Sequence, residues 1–114
     1  ISDSLRARGM PDGRYPFGGQ EIDVHGNRAT MADDPNTLAG SVSDLMACMR
    51  SAVSFGIPLH DAVRAAAVNP AQVLGIFDRL GSLDVGKTAN LAIQDRDLNL
   101  KDVFFRGQLV DRGA

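Results

Sequence analysis

The sequence predicts an α/β chain in which helices sit between two β-rich ends. Three observations predict it. Ile22 and Val24 alternate with Asp23 and His25, the two-residue period of a half-buried strand. From residue 42 the period changes: Val42, Leu45, Met46, Met49 and Val53 fall on one stripe of a helix. From Leu80 onward short apolar runs return, broken by Gly, Asp and Asn. The order is not the strand–helix–strand alternation of a self-contained parallel unit.

The elements follow in chain order. Residues 4–20 carry no steady period, and Pro11-Asp12-Gly13 and Gly18-Gly19 are turn chemistry, so this stretch reads as a long loop. Gly26-Asn27 between two short runs reads as a tight hairpin over about 20–32. Residues 33–40 read as loop. A helix follows from Val42, with Ser41 or Ser43 as the cap whose hydroxyl accepts from a first-turn N–H, and Gly56 then Pro58 ends it. A second helix is expected over about 59–68 with Leu59, Ala62, Val63, Ala66 and Ala67 inward. Asn69-Pro70 reads as a cap with proline at the first helical position of a third helix that stops at Gly75. Beyond it, Asn90–Gln94 is a strand, and Val103–Phe105 with Gln108–Val110 flank Arg106-Gly107 as a terminal hairpin.

Bulk properties narrow the function classes. The chain has 114 residues, 44% hydrophobic and 23% charged, with a formal net charge of −2. That balance argues against nucleic acid or an anionic membrane as a partner, since both select a basic face. No apolar run approaches the roughly 18–20 residues that span a bilayer. Cys48 is the single cysteine, which excludes an intrachain disulfide and a multi-cysteine zinc site. It lies in an apolar-periodic stretch and is expected to pack in a core. A reducing, cytoplasmic setting fits. The chain opens Ile1-Ser2-Asp3 without a Met, as if cut from something longer.

Residues 81–88, GSLDVGKT, match the phosphate-loop pattern G-x-x-x-x-G-K-[ST] at every fixed position. A working phosphate loop needs a buried strand before it and a helix opening at its Lys-Thr end. Here a helix exit precedes the motif and a strand follows it. The pattern therefore reads as a β-turn over Asp84-Val85-Gly86-Lys87.

Few residues could carry chemistry. Asp3 follows Ile-Ser as if at a strand end opening on a loop, a place where α/β barrels project catalytic groups, although position alone favours a structural carboxylate. His25 and His60 lack a second ligand at metal spacing and read as surface groups. No G-x-S-x-G elbow surrounds any serine. Leu38-Ala39-Gly40-Ser41 reads as a loop entering a helix, with N–H groups facing an anion or a polar carbonyl. Lys87 and the arginines read as solvated surface.

Four blocks, SDSLRARGMPDGRYPFGGQEIDV, TLAGS, AAAVNPAQVLGI and RLGSLDVGKTANLAI, are similar in order and spacing to the C-terminal portion of the N-acetylglucosamine-6-phosphate deacetylases, within the metal-dependent amidohydrolase superfamily. The resemblance covers nearly the whole chain. The last two blocks are shared widely in the superfamily; the PDGRYPFGG run with LAGS points to the deacetylases. The segment departs from the family pattern at Ser2, where Thr is common, at Ser4, where Ala is usual, and at Asn36-Thr37, where a Gly-containing turn is usual.

The resemblance implies a fold and a chemistry. The fold is the C-terminal fragment of a (β/α)₈ amidohydrolase barrel with part of a small β-sandwich domain: residues 1–79 in the barrel, with the hairpin near 20–32 inserted, and residues 80–114 in the sandwich. The reaction is removal of acetate from N-acetylglucosamine 6-phosphate. A divalent metal, Zn or Fe, polarises the amide carbonyl and acidifies bound water; its ligands lie outside this chain. Asp3 matches the aspartate that takes a proton from that water and returns it to the departing amine. Ala39, Gly40 and Ser41 match a segment that contacts the amino-sugar phosphate substrate. The isolated chain is expected to be inactive, to bind no catalytic metal, and either to self-associate or to be partly disordered at residues 1–20; a homo-oligomer is the state expected of the protein. Three alternatives stand beside this reading: another amidohydrolase of dihydroorotase type, a phosphate-loop nucleotide binder, and a non-catalytic β/α domain.

Overall fold

In the computed structural model, which describes residues 1–111, the chain divides into two units, Ile1–Cys48 and Met49–Ala114. The first is built on an antiparallel sheet in the order β1-β2-β3-β4, with β1 Gly13–Phe17, β2 Gln20–His25, β3 Arg28–Met31 and β4 Leu38–Ser41. Each early turn is dictated locally. Gly18 and Gly19 both have positive φ between the paired Phe17 and Gln20, the I′ pattern that matches strand twist. Gly26 has positive φ between the paired His25 and Arg28, so the expected Gly26-Asn27 hairpin is present.

Two stretches read as loop are strands. β1 was obscured by Pro16 and by glycines at both ends. It is an edge strand, so the missing Pro16 N–H removes nothing from the sheet interior, and Tyr15 and Phe17 turn toward the core. β4 was obscured by its small residues, whose pairing comes from β3 and not from their own propensity. The core of this unit is Ala7, Ile22, Val24, Ala29 and Val42, with Leu5, Tyr15, Phe17, Met31 and Ala39 packed against it. Within residues 1–20, Ala7 enters that core and Tyr15 and Phe17 pack against it from β1.

The first helix, α1 (Leu45–Ser54), starts three residues later than expected. Val42 belongs to the sheet core instead. The cap is Asp44, whose carboxylate accepts from the Ala47 N–H at 2.6 Å, and not Ser41 or Ser43. Cys48 is half-buried, short of the core position expected. Gly56 ends α1 as expected: Ile57 N–H donates to the Ala52 carbonyl and Gly56 N–H to Val53, the paired bonds of a Schellman cap.

In the second unit α2 (Leu59–Val63) runs without a break through a π turn, Arg64–Val68, into α3 (Asn69–Val73). Asn69 was expected to cap a new helix; it has helical φ and ψ and donates to the Arg64 carbonyl five residues back. The wider π turn gives room for the Pro70 ring, which an α-turn would press against the carbonyl four residues earlier. Of the residues expected inward, Ala62 is buried and Ala66 and Ala67 half-buried, while Leu59 and Val63 are exposed. Gly75 closes α3 with a second Schellman pair, from Ile76 to Ala71 and from Gly75 to Gln72.

Gly81, φ +96°, then passes so close to this helix that a β-carbon would lie 2.6 Å from that of Ala71. A second antiparallel sheet follows in the order β5-β6-β7, with β5 Leu91–Gln94, β6 Leu100–Phe105 and β7 Gln108–Leu109. Arg106 and Gly107, both at positive φ, turn the expected hairpin between the paired Phe105 and Gln108. β6 begins three residues before the expected Val103. Among the described residues no helix is long and apolar enough to cross a membrane.

Candidate functional site

Asp3 and β4 come together at one edge of the first sheet. Ser4 forms a parallel bridge with Ser41, and the Leu5 N–H donates to the Ser41 carbonyl at 2.7 Å. Asp3, one residue earlier, has φ +51°, a left-handed conformation that non-glycine residues adopt rarely and Asp more readily than most. Its side chain is exposed, and no described residue pairs with it. A carboxylate so placed is free to meet a ligand.

Each predicted partner on β4 has its own geometry. The register slips between Ala29 and Thr30, so that Gly40 faces Ala29, Leu38 faces Thr30, and Ala39 is left as a bulge against the core. Bulges re-aim the chain where a sheet meets a site. Gly40 lies under Leu5: a β-carbon there would fall 2.9 Å from Leu5 Cδ2. Ser41 faces Arg28, and its Oγ accepts from the Ser43 N–H at 3.0 Å. Beyond it the Arg8 guanidinium donates to the Asp44 carboxylate at 2.5 Å, beside the start of α1. Thus Ala39, Gly40 and Ser41 form a strand rather than the helix-entry loop read from their sequence. Residues whose sequence signal was absent, Ser4 and Leu5, join Asp3 to that strand; they stand 36 or 37 positions from Ser41, with nothing local to announce the contact.

The other candidates lie apart. His25 is exposed, its Nδ1 3.8 Å from Asp12, and His60 is exposed 3.3 Å from Asp61, so both are surface groups as expected. Among the described residues no group of three or more His, Cys, Asp or Glu side chains is arranged to hold a metal, so a resident divalent ion does not fit the residues present. A cleft of about 250 Å³ is lined by Arg14, Gln20, Glu21, Ala32 and Asp33, none of them a predicted site residue. Beside it Arg14 grips Asp23 with two bonds of 2.8 Å, and that bonding holds the Asp23 carboxyl below its ordinary range. Asp34 is likewise lowered, by the Thr37 hydroxyl first and then the Asn36 N–H, in the loop before β4.

The 81–88 segment is the expected turn. Lys87 N–H donates to the Asp84 carbonyl, and Gly86 has φ +92° at the third position. No helix follows; residues 91–94 are β5. Lys87 itself is not the solvated side chain expected. It is 11% exposed, with Nζ 2.6 Å from Ser82 Oγ, 3.3 Å from Asp84 and 3.5 Å from the centre of the Phe77 ring.

The chain belongs to the Amidohydrolase family, which matches residues 20–110. Among its relatives, the N-acetylglucosamine-6-phosphate deacetylase of Bacillus subtilis is 40% identical over 96% of this chain and 27% of its own length. The N-acetylgalactosamine-6-phosphate deacetylase of Escherichia coli O157:H7 is 37% identical over 96% of this chain and 29% of its own. A solved N-acetyl-D-glucosamine-6-phosphate deacetylase variant from Mycobacterium smegmatis, in complex with N-acetyl-D-glucosamine-6-phosphate, superposes with a TM-score of 0.80 at 36% identity, over 96% of this chain and 29% of that one. The chain thus spans less than a third of the length of these three proteins.

Proposed function

We propose that this chain is the C-terminal part of a deacetylase that hydrolyses the acetamide of N-acetylglucosamine 6-phosphate to glucosamine 6-phosphate and acetate. Residues 1–79 belong in this reading to a (β/α)₈ barrel and residues 80–114 to a small β-sandwich. A metal serving the reaction, Zn or Fe, has its ligands outside these residues. The chemistry assigned to this chain is confined to Asp3 and β4. A cytoplasmic homo-oligomer is the setting that goes with it.

The observation that carries the reading is the meeting of an exposed, left-handed Asp3 with β4 through the Ser4–Ser41 bridge. An amine leaves an amide poorly unless it is protonated, so one group must carry a proton from the attacking water to nitrogen. Asp3 removes that proton as the water oxygen bonds to the acetyl carbon. The carbon–nitrogen bond then breaks, and Asp3 returns the proton to the sugar nitrogen as acetate departs. Ala39, Gly40 and Ser41 wall the substrate beside it. The relatives' names support the substrate class, and two of the three concern the glucosamine sugar. The galactosamine epimer is the second reading, on the strength of the third relative.

The test is kinetic. The whole enzyme is assayed on both sugar phosphates, with and without Asp3→Asn. Turnover of the glucosamine substrate and a loss of about 10²–10⁴-fold in kcat for the variant are expected. Full activity of the variant removes Asp3 from the chemistry. The isolated 114-residue chain is expected to be inactive; turnover by that chain with stoichiometric metal overturns its assignment as a part.

A further inference from the structure

We infer that Ser4, braced by Ser2, is a positioning residue that holds the Asp3 carboxylate in its left-handed setting; the inference rests on the proton-carrying role proposed for Asp3. In an extended strand, side chains two residues apart stand roughly 6.5 Å from each other. The hydroxyl oxygens of Ser2 and Ser4 are 3.1 Å apart, which an extended chain does not allow. The fold that brings them together is the turn at Asp3, φ +51°.

The proton arithmetic fixes the direction of this bracket. The Ser4 hydroxyl has one proton, and it donates to the Ser43 carbonyl. The Ser2 hydroxyl therefore donates to Ser4 Oγ. The two serines flanking Asp3 are thus tied to each other, and through Ser4 to the segment between β4 and α1. The Ser4–Ser41 bridge and the Leu5–Ser41 backbone bond hold the same residue from its C-terminal side. Leu5 packs over Gly40, so the backbone following Asp3 is fixed by contact as well. A left-handed non-glycine residue persists only where its surroundings over-determine it, and these are the contacts that do so.

The experiment reads Asp3 directly. In the 114-residue chain, backbone scalar couplings of Asp3 are measured by NMR for the parent, Ser4→Ala, Ser4→Thr and Ser2→Ala. Ser4→Ala is expected to shift the couplings toward extended values, and Ser4→Thr to keep them, because the hydroxyl is retained. Unchanged couplings in Ser4→Ala, with Ile22 and Val24 methyl signals intact, overturn the inference. If Ser4→Ala loses those signals, Ser2→Ala decides, since it removes only the brace: a shift supports the bracket and no shift overturns it. In the whole enzyme Ser4→Ala is expected to lower kcat roughly 10–100-fold with KM little changed, and Ser4→Thr to restore it. Unchanged kcat despite shifted couplings overturns the positioning role. Full activity of Asp3→Asn instead removes the proton-carrying role and leaves the bracket as structure alone.

Discussion

The ammonium of Lys87 lies 3.5 Å from the centre of the Phe77 ring. The same Nζ bonds Ser82 and lies within ion-pair distance of Asp84, so the lysine of the GKT run is turned into its own turn. A phosphate-loop lysine must face a phosphate; this one is occupied. Lys87→Met keeps much of the packing and loses the ring contact and the bonds, for an expected loss of about 1–2 kcal/mol. Urea unfolding measures it. ATP is expected to give Lys87 no protection from acylation; protection would revive nucleotide binding.

Gly81 and Gly86 separate backbone conformation from close approach. Both have φ above +90°, but a β-carbon at Gly81 meets Ala71 at 2.6 Å and the Ala67 carbonyl oxygen at 3.1 Å, while one at Gly86 meets nothing within 4 Å. Alanine at either position takes on the left-handed cost of about 1–2 kcal/mol. Gly81→Ala adds a steric term of about 1–3 kcal/mol. Equal losses for the two variants in urea unfolding would show that the turn does not rest on the helix.

Asp95 predicts an acid limit for the β5–β6 connection. Its carboxylate accepts from the Asn99 N–H at 2.8 Å, pairs with Lys101 at 3.0 Å, and accepts from the Asn99 side chain and the Asp97 N–H. These contacts, the Asn99 N–H foremost, draw its pKa from 3.8 down to about 2. The folded pKa is below the unfolded one, so folding favours the ionised form. The resulting stability is fully present above about pH 4 and is lost as the pH falls toward 2. Amide exchange of Asp97 and Asn99 is expected to accelerate across that window, and Asp95→Asn to abolish this pH dependence. A parent chain with the same flat profile as the variant would show that the carboxylate does not hold the loop.

Asp3→Asn and the Ser4 variants complete the set, since they ask whether the bracketed carboxylate moves a proton. In the proposed reaction the chemical demand comes from the leaving amine, and the geometry comes from β4. The two are separable because the couplings of Asp3 report its backbone whether or not turnover occurs.

Local chemistry was legible wherever a turn is decided by its own residues. Gly26-Asn27, Arg106-Gly107, and the helix ends at Gly56 and Gly75 all stand as read, because positive φ at a turn or cap selects glycine with little reference to the rest of the fold. The turn at Asp84–Lys87 was legible for the same reason, and the missing helix after Thr88 exposed the phosphate-loop pattern as coincidence. Strands poor in apolar residues were not legible. Gly13–Phe17 and Leu38–Ser41 carry Pro, Gly and small side chains, and are strands because β2 and β3 offer them hydrogen bonds. The helix start at Leu45 was displaced because Val42 has a better burial site against Ile22 and Val24 than on a helix stripe.

By itself the sequence determined the hairpin turns, the helix stops at Gly56 and Gly75, and the turn that stands in place of a phosphate loop, while the family resemblance marked Asp3 with Ala39–Ser41 as the residues to watch. The turns and helix stops follow from backbone preference over a few positions. Only the tertiary structure decided that Asp3 is left-handed, that Ser4 and Leu5 tie it to β4, and that Lys87 is folded against Phe77. These depend on pairings across 36 or more positions or on a side chain folding back over its own turn, and no periodicity or local propensity encodes either.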